Sequence, residues 1–242
     1  MPGYQTEAIV LRHAAYRECD RMVTLFSPTH GRIDVLARGC KKLGGTMATA
    51  SELFSTGVYE LYAKGDRTTM TGFSLQEGFY PLRTQMERLA YGCYALGLCA
   101  AAVQPGEAEP ELYASLRRAL AMLAYDDCPE KAVGTCFLVS FSACVGFQPE
   151  LDVCAHCGMK VDERAVYDLE AGGIFHPNCM PRGKPIRSEV LRWMRAIQNL
   201  GYDACADVDP AISDAALAWM RAHVEYHMQG AVRAAKFLTY CQ

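Results

Sequence analysis

Up to about residue 77 the apolar positions come in short runs and period-two alternations, and beyond Pro81 they recur at helical spacing. Ala8-Ile9-Val10-Leu11 and Met22-Val23-Thr24-Leu25-Phe26 are compact apolar runs, and Ser27-Pro28-Thr29-His30-Gly31 reads as a turn. Ile33, Val35 and Ala37 then alternate with polar neighbours. After a Gly-rich basic connection, Phe54 to Ala63 and Thr68 to Leu75 predict two more strands joined at Lys64-Gly65-Asp66-Arg67. Five short strands in so little chain suit a small closed barrel of the OB type.

The helical part follows. Leu82, Met86, Leu89, Cys93 and Leu96 share one face of a helix that Pro81 can begin, and Leu112, Leu116, Leu120 and Leu123 mark a second after Pro110. A third is expected from about Pro129 to Val145, a fourth over Ser188 to Leu200, and a last over Ser213 to Leu238 with an apolar stripe that reads as core. The fold class expected is α+β in two domains. Residues 1–80 form the OB barrel; residues 81–242 form a helical domain with a zinc-knuckle module inserted at about 150–184.

That module is marked by Cys154-Ala155-His156-Cys157-Gly158 and, with eighteen residues between Cys157 and His176, by the group His176-Pro177-Asn178-Cys179. Two half-sites of this spacing aim four soft ligands at one ion, and a closed tetrahedral set leaves no position for water, so the metal holds a fold. The expected ligands of one structural Zn2+ are Cys154, Cys157, His176 and Cys179. His156 is the competitor of His176, and a redox-active C-x-x-C is the competing reading of the first knuckle.

Composition narrows the setting. The 242 residues are 51% hydrophobic and 21% charged, which is globular usage. Twelve cysteines without a basic, apolar leader at Met1-Pro2-Gly3-Tyr4 point to a reducing cytosol, and the longest apolar stretch, Leu89 to Val103, is too short to span a bilayer. The net charge of -3 is uneven: residues 101–170 hold twelve acidic side chains and five basic ones. Gly31 to Ala50 holds Arg32, Arg38, Lys41 and Lys42 against Asp34, and Arg182 to Arg195 holds five basic residues against Glu189. Such clusters can face phosphate, or simply be solvated.

No catalytic pattern assembles. The phosphate-gripping G-x-x-x-x-G-K-[ST], the G-x-S-x-G elbow, H-E-x-x-H and the zinc-deaminase signature are all missing from the sequence. His227 reads as a packed or surface histidine, and Asp126-Asp127 as residues at a helix end. The protein is not expected to be an enzyme.

Barrel, helices and metal hairpin in this order resemble the bacterial RecO family. The matches run through Thr6 to Leu11, Tyr16-Arg17-Glu18-Cys19-Asp20-Arg21, Thr24-Leu25-Phe26 with His30-Gly31, and Ala37-Arg38-Gly39 with Lys41-Lys42. They continue through Leu89-Ala90-Tyr91, Gly146-Phe147 with Pro149 and Leu151-Asp152, the Cys154 knuckle, Gly172-Gly173, and Tyr226-His227 with Arg233 and Lys236-Phe237-Leu238. Two positions depart from the family pattern: His176 stands where a third Cys is usual, and Ala234 where a Ser is usual. Imidazole is an ordinary zinc ligand, so the first departure preserves a site.

The resemblance implies an ATP-independent DNA repair and recombination protein that binds single- and double-stranded DNA and anneals complementary strands. It implies work with RecR, and in some bacteria RecF, to load RecA onto strands coated by the single-stranded-DNA-binding protein. It also implies a cytoplasmic, nucleoid-associated location and no membrane. Within that role Arg38, Lys41 and Lys42 are the first candidates for phosphate contact, followed by Arg17, Arg21, Arg32 and Arg67. The alternative is a zinc-containing scaffold for protein partners with minor DNA contact.

Overall fold

A computed structural model describes residues 3–42, 46–206 and 208–228. Five strands close a barrel: β1 (Tyr4–Ala15), β2 (Arg21–Ser27), β3 (Gly31–Ala37), β4 (Thr56–Lys64) and β5 (Arg67–Glu77). The order is β1-β2-β3-β5-β4, with β1 returning to β4 and β3 running parallel to β5, which is OB topology. Ala8, Val10, Val23, Leu25, Val35, Tyr59 and Leu61 fill the interior. A short helix, α1 (Thr46–Ala50), contributes Ala50 to that core, and the Tyr59 hydroxyl donates to the carbonyls of Ala50 and Ser55 at 3.2 and 3.1 Å.

The apolar run in β1 is continuous because both faces are buried. Ala8 and Val10 point into the barrel, while Ile9 and Leu11, with Phe26 of β2, belong to the core of the helical body. That body is built from α2 (Met86–Ala102), α3 (Pro110–Tyr125), α4 (Glu130–Cys144), α5 (Ser188–Leu200) and α6 (Pro210–His227). The first helix starts later than its spacing implies: Pro81 lies in a 3-10 turn, Tyr80–Thr84, and α2 begins at Met86. The last begins earlier, because Pro210 sits in its first turn and the Asp209 carboxylate accepts from the Ala211 N–H at 2.8 Å. The stretch expected to carry it on to Leu238, with Arg233, Ala234 and Lys236-Phe237-Leu238, lies outside the described residues.

Two features join barrel to body. Phe54, expected in a strand, instead has a left-handed backbone (φ 71°) that turns its ring out of the barrel and against Gly92 and the helices. Full burial of that ring contributes ~1.5–3 kcal/mol, which offsets roughly 1–2 kcal/mol of left-handed strain. At the other end, the β2–β3 turn docks on the α2–α3 loop through backbone hydrogen bonds: Arg32 N–H to Gln104 carbonyl at 3.1 Å and Gly106 N–H to His30 carbonyl at 3.0 Å. Gly31 (φ 61°) is required there, since a Cβ would lie 2.2 Å from the Gln104 oxygen.

Between α4 and α5 the chain forms the metal hairpin around a small sheet, β6 (Ala165–Asp168), β7 (Gly173–Phe175) and β8 (Lys184–Ile186), in the order β7-β6-β8. Its Val161, Val166, Ile174 and Phe175 share one core with the helices, so it closes the body rather than standing free. Arg195 of α5 fastens it by donating to the carbonyls of Leu151 and Val161. Among the described residues no helix is long and apolar enough to cross a membrane.

Candidate metal centre and nucleic-acid interface

Cys154 and Cys157 come together because the first knuckle is a tight turn. The Cys154 N–H donates to the Met159 carbonyl, and the Gly158 N–H, left-handed at φ 72°, returns to the Cys154 carbonyl, both at 2.8 Å. The second turn is closed by the N–H groups of Cys179 and Met180 on the His176 carbonyl, at 2.9 and 3.1 Å. A backbone bond from the Ala155 N–H to the Ile174 carbonyl, 3.0 Å, holds the two turns face to face. As a result the donor atoms of Cys154, Cys157, His176 and Cys179 all lie within 4.8 Å of one another.

The donor set fits a metal. His176 Nε2 lies 3.1 Å from the Lys160 carbonyl, an arrangement that puts the ring proton on Nε2 and leaves Nδ1 as a lone pair, 3.5 Å from the Cys157 sulfur. Burial pushes the Cys154 thiol up, but the backbone N–H groups of Cys157, His176 and His156 outweigh it and bring the thiol down to about 6. The Cys179 thiol moves the other way, to about 11, through burial and the neighbouring Cys154 and Cys157 sulfurs. Crowded sulfurs that compete for protons are what a divalent cation relieves. His156 is exposed and outside the cluster. These four residues could therefore hold a metal ion, with three sulfurs and one imidazole.

The second site lies on the outside of the barrel. A groove of about 740 Å³ runs over β2, β3 and the β4–β5 hairpin; Arg17, Arg38, Lys64 and Arg67 line it together with Tyr16 and Tyr62. Both tyrosines are exposed, at 46% and 45%, whereas Tyr59 of the same β4 strand as Tyr62 is buried. The Arg17 guanidinium lies 5.3 Å from the centre of the Tyr16 ring. A second cleft, lined by Arg12, His13, Met22, Thr24 and Asp34, shares Met22 and Asp34 with the first and lengthens the track along β1 and β2. Asp34 and Asp66 also face the groove, so its positive character is moderate.

The seven basic candidates from the sequence separate into three groups. Arg17, Arg38 and Arg67 share the groove. Lys41 and Lys42 are exposed at its border, and the Lys41 ammonium donates to the Arg17 carbonyl at 3.3 Å, steadying the β1–β2 loop. Arg21 and Arg32 are engaged elsewhere. Arg21 pairs with Glu52 at 2.7 Å and donates to Ser51 at 2.9 Å, tying β2 to the turn that follows α1, and Arg32 pairs with Asp34 at 3.4 Å. Sequence reasoning did not single out Tyr16, Tyr62 and Lys64. For Tyr62 a signal existed, since it follows Tyr59 and Leu61 on the opposite parity of β4 and so points outward.

The family models of the recombination protein O N-terminal and C-terminal regions match residues 1–79 and 83–235 of this chain. Among curated proteins it is similar to the DNA repair protein RecO of Moorella thermoacetica, 27% identical with 98% of this chain and 91% of the relative covered. It is also similar to the RecO of Myxococcus xanthus, 27% identical with 98% of each chain covered, and to that of Desulforudis audaxviator, 29% identical with 98% and 97% covered. With both halves matched in register with the barrel and the helical body, the chain belongs to the RecO family of DNA repair proteins.

Proposed function

We propose that this chain binds single- and double-stranded DNA along the barrel groove, anneals complementary strands without nucleotide hydrolysis, and, with RecR, helps load RecA onto single strands coated by the single-stranded-DNA-binding protein. A RecF-type partner belongs to the same reading, as does a cytoplasmic, nucleoid-associated location. The observation that carries it is the convergence of Arg17, Arg38, Lys64 and Arg67 with two exposed tyrosines in one groove of an OB barrel. Guanidinium and ammonium groups displace counterions from phosphates, and tyrosine rings stack on any base, so contact is sequence-blind. Annealing itself needs no bond chemistry. Two polyanions must be held close, after which base pairing supplies the driving force.

In this reading residues 1–80 carry the DNA contact and residues 81–242 the partner contacts, the acidic stretch 101–170 being unsuited to phosphate. Cys154, Cys157, His176 and Cys179 would hold Zn2+, and the bound ion would supply a structural cross-link between the two turns. The chain's own residues do the rest: Lys160 fixes the imidazole tautomer, and Arg195 locks the hairpin to α5.

The test is annealing of complementary oligonucleotides, bare and coated with the single-stranded-DNA-binding protein, without nucleoside triphosphate and with RecR added in turn. Acceleration in both settings is expected. Normal capture of RecR with no annealing and no DNA retention at low salt would replace this reading by the scaffold one.

A further inference from the structure

The helical body holds a thiol pair that neither the metal hairpin nor the groove uses. Cys136 of α4 and Cys205, in the 3-10 turn Gly201–Cys205 that follows α5, bring their sulfurs to 2.8 Å, and both residues are fully buried, at 1% and 0% exposure. A displacement of less than an ångström separates that contact from the ~2.05 Å of a covalent S–S bond. The pair joins positions 69 apart in sequence, and the elements carrying them already pack together: the turn adjoins α4 and α5, and Trp193 of α5 donates to the Ala204 carbonyl at 2.8 Å. Cys128, at the approach to α4, is only partly buried and close enough for the Cys205 charge to act on it.

We propose that Cys136 and Cys205 form a disulfide site that a low-molecular-weight disulfide can close, bolting α4 to the α5–α6 connection. The step balances as two exchanges. One cysteine thiolate attacks the reagent and forms a mixed disulfide, releasing one reagent thiolate. The other thiolate then attacks the protein-bound sulfur and releases the second. Two protein thiols lose two electrons and two protons, and one reagent disulfide becomes two thiols. In a reducing compartment the dithiol is the resting state. Closure is slow, because the hydrogen bond with Cys205 and then burial hold the Cys136 thiol far above the ordinary range, so few thiolates form near neutrality. Reaction therefore accelerates with rising pH and with partial opening of the body.

The test uses the full-length, metal-loaded protein incubated with excess oxidised glutathione in alkaline buffer, with and without a sub-denaturing concentration of urea. The remaining thiols are alkylated, and the protein is digested and analysed by mass spectrometry. The expected product is a peptide pair joined through Cys136 and Cys205, two hydrogens lighter than the reduced peptides together and separated by dithiothreitol. Its formation raises Tm by roughly 10 °C, the scale set by loop closure over that separation. The shift is absent from Cys136→Ala. Recovery of both cysteines alkylated in the urea arm, or a dominant Cys128–Cys205 linkage, overturns the assignment from the wild-type protein alone, whether or not the variant folds.

Discussion

The barrel and the metal hairpin with the α5 that follows it each carry a basic cluster, yet they use charge in opposite ways. In the hairpin region Arg195 is consumed by the Leu151 and Val161 carbonyls and stands 3.4 Å from Asp152, and Arg187 by the Ala211 carbonyl. Its interior merges with the helices, and its four donor atoms face one another. The barrel keeps a core of its own and leaves Arg17, Arg38 and Arg67 in an open groove, where no salt bridge engages them among the described residues. A cation whose hydrogen bonds close a fold cannot also meet a phosphate. The difference supports the proposal that one unit braces the fold and the other meets DNA.

The largest effect expected from breaking this division is at the hairpin. Cys154→Ser should abolish metal binding and unfold the module; structural zinc sites are worth on the order of 10 kcal/mol in small domains, so Tm should fall by well over ten degrees. Metal content per chain and calorimetry measure it together, and a variant that keeps its Tm without metal would remove the bracing role. Next is the seam between the regions. Gly31→Ala drives a Cβ into the Gln104 carbonyl from a left-handed backbone and should cost about 2–4 kcal/mol in urea unfolding. An unchanged midpoint would mean that barrel and body are not coupled through this turn.

Smaller effects sharpen the recognition side. Tyr62→Ala should weaken single-strand binding by about 1–3 kcal/mol, the worth of one stacked base, while leaving the salt dependence and the unfolding midpoint in place. A titration monitored by anisotropy checks this. The least effect concerns pH. Burial, opposed by the hydrogen bond to the Phe147 carbonyl, and the nearby His227 keep the His223 ring below its ordinary value. The unfolded chain then binds the proton more readily. This contribution is fully present above about pH 6.5 and is lost as pH falls below that value. Urea midpoints should decline from pH 7 to pH 5, and His223→Phe should flatten that decline; an equal decline in the variant would assign it to other groups.

Much of this was readable from residues alone, for identifiable reasons. The barrel was legible because period-two runs separated by Gly and Pro have few closed solutions, and the convergence of the Cys154, Cys157, His176 and Cys179 donors because knuckle spacing constrains where sulfurs can point. The sheet β7-β6-β8 was not, since strands of three or four residues, one of them Lys184-Pro185-Ile186, leave no period to read. Nor could Arg17 be told from Arg21. They lie four residues apart, and what separates them is Glu52, thirty-one positions from Arg21, which takes the second and not the first. Phe54 was misread as a strand residue because its apolar side chain serves the helical core through a backbone turn that no local pattern announces.

The direct test of charge left free in the groove is the salt dependence of single-strand affinity for the unmodified chain and for an Arg17→Ala, Arg38→Ala, Arg67→Ala variant. For the unmodified chain log affinity should fall steeply with log salt, and for the folded variant the slope should be shallower by about 2, near 0.7 for each phosphate contact removed. Equal slopes for the two proteins would contradict the account.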